Sequence, residues 1–198
     1  MSTSIEQVHE HEVDLHFLVG RARACVVLFI ISDVLSVFAI LAAGGYLSTL
    51  NVLNQFKQPG DHPPAFLPGL VVAVLMVVSG LAYYLWDRSY QRDGQAGQLV
   101  FYLLSWILMI AALVVQVWLS LHLGYAAPLH SYDSLIILIV WYSAAHLLLL
   151  AFIGLLLFGR ITRGRLAGRG YIVEATGYWW YYTIIATLLL WVFSLLVG

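Results

Sequence analysis

Charge is the scarcest thing in this sequence. Only 10% of the 198 residues are Asp, Glu, Lys or Arg, against about 25% in an ordinary soluble domain. A water-exposed globule is thereby excluded. Cysteine is nearly absent too. Cys25 stands alone, so the chain has no internal disulfide and no thiolate metal cluster; as a small residue at a helix start it needs no further role. Strand-like alternation of polar and apolar residues is missing. So are a phosphate-binding glycine loop, a Ser-His-Asp set and a His-Glu-x-x-His motif, and with them the usual means of catalysis by one chain.

What fills the sequence is apolar: 62% of it. Five runs, 25–47, 66–85, 99–121, 134–158 and 175–197, each reach the roughly 20 residues that cross a bilayer core as a helix. Helix is the state in which such a run satisfies its own backbone in lipid. The breaks between them, such as "NQFKQPGDHPP" and "GRITRGRLAGRGY", are rich in Gly, Pro and charge. The expected fold is an all-α membrane protein: a bundle of five transmembrane helices over 21–198, preceded by a polar N-terminal tail over 1–20. That tail lacks the basic start and small-residue cleavage site of a signal peptide.

The nine basic residues sort by side. Arg21, Arg23, Arg88, Arg92, Arg160, Arg163, Arg165 and Arg169 fall before span one or in alternate loops, and the other side has Lys57. Cationic loops stay in the cytoplasm, so the N-terminus is expected inside and the C-terminus outside. The four arginines between spans four and five suit anionic lipid head groups; no nucleic-acid partner is expected.

Two side chains other than Tyr are able to carry charge at depth. Asp33, in "FIISDVL", lies ~14 Å from the cytoplasmic end of span one, and His146, in "VWYSAAHLLLLAFIG", ~18 Å from that end of span four. An anion at mid-bilayer costs roughly 2.5–3.5 kcal/mol on insertion scales, so Asp33 is expected to face protein, water or a polar cleft. It reads either as a proton-relay or lipid-contact carboxyl, or as an interhelical hydrogen bond. For His146 the readings are a haem ligand, a proton carrier and a structural histidine. A bundle that binds haem b normally supplies two ligands from facing helices, and no second mid-membrane histidine exists. Gln116 is read as hydrogen-bonding across helices. His9, His11 and His16 stand among acids in the tail, at spacings that match no rigid metal site. The aromatic block "YWWYY", just after Glu174, suits an interfacial anchor.

Along nearly all five spans, in order, the chain resembles subunit III of haem-copper oxidases in its short five-helix bacterial form. Ser32 and Asp33 take the place of that family's Ser-Glu pair. Gln116 precedes an aromatic, as in its third helix. His146 matches the second of two histidines three apart. Glu174 and Trp180 match the acid and the tryptophan of its last helix. Ser143 and Tyr181 stand where the family has histidines, and Ile184 where it has an aspartate. The resemblance implies a non-catalytic subunit in a prokaryotic plasma membrane. Such a subunit carries no cofactor of its own and packs on a catalytic subunit that holds haem and copper. It binds phospholipid in a cleft and supports assembly, oxygen access and sustained proton uptake. Asp33, Gln116, His146, Glu174 and Trp180 are then cleft or structural polar groups. Accessory subunits of nitric oxide reductases share this fold and are an alternative. A small proton or ion transporter working through Asp33 and His146 is another.

Overall fold

The computed structural model describes residues 3–51, 54, 56–58, 61–93, 99–124, 130–166 and 169–197, with the backbone alone for 3–16, 18 and 93. Among these residues the only regular elements longer than a turn are five α-helices: α1 (Thr3–Thr49), α2 (Phe66–Asp93), α3 (Leu99–Leu121), α4 (Ser131–Thr162) and α5 (Gly170–Val197). Each contains a segment long and apolar enough to cross a membrane. Helices α2 and α4 overrun the apolar runs at the arginine-rich end, because nothing in "WDRSYQRD" or "FGRIT" breaks a helix. α1 runs back to Thr3 without interruption, so the polar segment before the first span is continuous helix with it. The side chains of His9, His11 and His16 lie outside the described residues.

Four helices close into a ring. α2 packs on α3, α3 on α4, α4 on α5, and α5 returns to α2. α1 lies outside this ring, mainly against α5 and more lightly against α4. Only 6% of α1's apolar window is buried, against 44% for α2 and for α4. Burial of apolar side chains against protein therefore contributes far less to holding α1 than it does to holding the ring.

The ring's interior is aromatic, and several of its polar atoms pair locally, while Tyr181 Oη, Thr187 Oγ1 and Trp191 Nε1 are buried without a hydrogen-bond partner among the described residues. Tyr83 stacks on Trp180 with ring centroids 4.7 Å apart, and its hydroxyl donates to the Val173 carbonyl at 2.8 Å. Ser79 and Ser105 bind α2 to α3 reciprocally, each hydroxyl donating to the other's carbonyl at 2.8 Å. Trp180 Nε1 donates to Ser79 Oγ at 3.1 Å. Tyr102 donates to the carbonyl of Gly154. A glycine is required there, since a Cβ at 154 would stand 2.5 Å from Trp106 Cδ1. Small residues admit close helix packing, which in lipid replaces the missing hydrophobic drive between helices.

Candidate functional site

Three helices each bring an aromatic or polar pair spaced three or four residues apart, and so on one helix face, to a single place. α1 brings Phe29 and Asp33, α4 brings Tyr142 and His146, and α5 brings Trp179 and Tyr182. Asp33 is the hub. Tyr142 donates its hydroxyl to Oδ1 at 2.6 Å, and Tyr182 donates to Oδ2 at 2.5 Å. His146 Nε2 lies 2.7 Å from Oδ2. The side chains of His146 and Asp33 are 9% and 16% exposed, so the contact is largely shut away. The His146 ring packs between Tyr142 and Trp179, at centroid distances of 4.4 and 5.8 Å. Phe29 covers Trp179 from α1 at 4.7 Å.

The proton count follows from the geometry. His146 Nδ1 lies 2.8 Å from the Tyr142 carbonyl. A carbonyl only accepts, so Nδ1 carries hydrogen. A contact of 2.7 Å between Nε2 and Oδ2 needs one more proton between them, on whichever atom. The pair therefore holds one shared proton and is neutral overall as imidazolium–carboxylate or as imidazole–carboxylic acid. Neutrality as a pair removes most of the insertion cost that a lone anion brings.

A second polar contact fastens α1 to α5 ten residues (~15 Å) nearer the arginine-rich end. Arg23 reaches Glu174 Oε2 through Nη2 at 2.6 Å and Nε at 3.2 Å. Tyr178 donates to Glu174 Oε1 at 2.5 Å. Between the two contacts opens a cavity of about 420 Å³ among α1, α4 and α5, lined by apolar residues together with Arg160, Tyr171, Thr176 and Trp179. The indole Nε1 of Trp179 is buried without a hydrogen-bond partner among the described residues.

Asp33 and His146, placed at depth by the sequence, thus meet. Glu174 sits apart from them in the Arg23 contact. Gln116 donates Nε2 to the Val140 carbonyl of α4 at 3.0 Å, the cross-helix bond expected of it. Trp180 is fully buried inside the ring, where its Nε1 donates to Ser79. Tyr142, Tyr182, Trp179 and Arg23 also belong to the site; the sequence offers Trp179 and Tyr182 only as part of the aromatic block and Arg23 only as a topology signal, and nothing in it singles out Tyr142. Among the described residues no three His, Cys, Asp or Glu groups stand placed to hold one metal ion.

Fold and site together define a multi-pass helical membrane protein with one proton-sharing pair inside an aromatic box. Neither the protein-family models nor the curated proteins contain a match to this chain.

Proposed function

We propose that this chain is a non-catalytic subunit of the subunit III type in a respiratory haem-copper oxidase, in a prokaryotic plasma membrane with the N-terminus inside. The observation that supports this best is how the deep ionisable groups are used. Asp33 and His146 satisfy each other, two tyrosines complete the carboxylate, and the whole set fastens α1 onto a closed ring. This is the construction of a wall with a lateral cleft. The cleft suits a phospholipid. Its lining is mostly apolar, Arg160 supplies a cation for a phosphate, and the unpartnered Trp179 N–H suits an ester carbonyl. Haem and copper then belong to the catalytic partner, whose flank this chain covers.

Purification of the tagged chain from its own membranes in mild detergent tests the proposal. The expected product contains a large haem- and copper-bearing partner, and the chain alone shows no Soret band. Recovery of the chain without any such partner overturns it.

One observation favours a second reading, a proton-linked transporter: the shared proton lies mid-span beside a cavity. Liposomes containing only this chain would then carry a proton flux that Asp33→Asn abolishes.

A further inference from the structure

The two halves of α1 are held differently. In the half after Asp33, Val37 is 5% exposed and belongs to one buried cluster with Leu135 and Ile136 of α4 and Ala186 and Leu190 of α5. Gly44 lies so close to both helices that a Cβ there would stand 2.8 Å from Leu135 Cδ2 and from the Phe193 ring. That half is docked. In the half before Asp33, none of the described side chains from Val19 to Ser32 is buried. Phe29 and Ile30 still reach the ring, at Trp179 and at its buried interior. Nearer the arginine-rich end the helix stands over the cavity of about 420 Å³, which Ala22 and Val26 line from α1 and Ile153, Leu157 and Ala175 line from α4 and α5.

Little draws this stretch inward. In lipid an apolar side chain gains almost nothing by facing protein rather than acyl chains, so the apolar cavity wall exerts no pull on it. Its polar fastening is Arg23 on Glu174. An ion pair that exposed shifts an equilibrium by no more than about fivefold. The junction between the halves is also soft. The Ser36 hydroxyl donates to the Ser32 carbonyl at 3.3 Å. A serine bonded back to the carbonyl four residues earlier weakens a helix slightly and often bends it. Asp33, held from α4 and α5, fixes this junction to the ring.

We propose that residues 19–28 form an arm that swings away from α4 and α5 about the junction at 32–36. The Asp33 hub and the docked outer half are its mount, and Arg23–Glu174 is its latch. The swing widens the cavity sideways toward the lipid around α1. A latch this weak leaves both positions of the arm populated, where a buried pair would hold it shut. The inference rests on the packing of α1 and stands independently of the subunit role proposed above.

The test is double electron–electron resonance on the full chain, with any partner it retains in mild detergent, in nanodiscs of phosphatidylcholine and phosphatidylglycerol. Cys25 is exposed on the arm and is the only cysteine, so it takes one spin label. Val100→Cys, at an exposed position in the first turn of α3, takes the other. A second chain carries Cys25→Ser with Tyr46→Cys and Leu121→Cys, exposed positions that pair the outer halves of the same two helices. The arm pair is expected to show a shorter and a longer distance. Glu174→Gln should raise the ratio of longer to shorter by about twofold to fivefold. High salt should do the same in the parent chain and add nothing in the Gln variant. The outer pair should keep one distance throughout. The proposal is overturned if Glu174→Gln leaves the arm-pair distances and their ratio unchanged. It is overturned equally if the outer pair lengthens along with the arm pair, since α1 then moves as one rod.

Discussion

The α2–α3 seam and the α1–α5 seam both bury polar side chains, and they distribute them differently. Between α2 and α3 the groups are neutral hydroxyls, each paired with a carbonyl that already has a helical donor. Losing Ser105 leaves little stranded, and losing Ser79 strands the Trp180 N–H alone. Around α1 the donors converge on one carboxylate, from two other helices. The ring has wide apolar and aromatic contact to fall back on, and α1 has little. The peripheral helix therefore depends on a single atom group, while the ring does not depend on any one of its polar residues.

Asp33→Leu breaks this contrast most severely. Two tyrosine hydroxyls lose their acceptor and the imidazole Nε2 loses its partner together, at a cost of about 3 kcal/mol, the lower end for removing one partner of a buried pair. Thermal or denaturant unfolding in detergent measures it. The loss should fall on α1, read as faster proteolysis within α1 while the ring stays resistant. Asp33→Asn keeps an acceptor for one tyrosine and should cost much less. Equal resistance of α1 in the Leu variant and the parent chain would mean that the hub does not hold this helix.

A double-mutant cycle between Asp33→Asn and His146→Gln sharpens the comparison. Because one proton is shared across the pair, the two substitutions should be strongly non-additive, with a coupling of ~0.5–3 kcal/mol. Within the ring, Ser79→Ala should cost about 1 kcal/mol, as interhelical hydrogen bonds in membranes do. Its cost includes the stranded Trp180 N–H. Coupling of Ser79→Ala to Asp33→Asn should be nil, since the two lie in different seams.

The sequence made the spans legible because a lipid-crossing helix needs a long apolar run and nothing else imitates one. The depths of Asp33 and His146 were legible for the same reason, by counting residues along a helix of known rise. Their meeting was not. It depends on α1 lying beside α4 rather than α2 or α3, a non-local choice that no local pattern records. The block "YWWYY" shows where reading along the chain stops. Each residue turns 100° from the last, so Tyr178 reaches Glu174, Trp179 meets His146, Trp180 enters the ring and Tyr182 reaches Asp33. A contiguous aromatic run that resembles one interfacial anchor is thus divided among three environments. Arg23 was legible as a topology signal, and its partner across the α1–α5 seam was hidden by 151 residues of sequence separation.

That pair sets the weakest expectation. Arg23 and Glu174 look as well joined as Asp33 and His146, at 2.6 and 2.7 Å. The side chain of Arg23, however, is 51% exposed and lies near the end of the apolar span, where water and ions screen the attraction and the long side chain loses freedom in forming it. Glu174→Gln should therefore change unfolding only slightly, and the change should shrink as salt rises from tens to hundreds of millimolar. Asp33→Leu, in its closed aromatic box, should show no such salt dependence. If both respond to salt alike, water and ions reach Asp33 as freely as they reach Arg23. The contrast between a buried hub and a screened surface contact would then be lost.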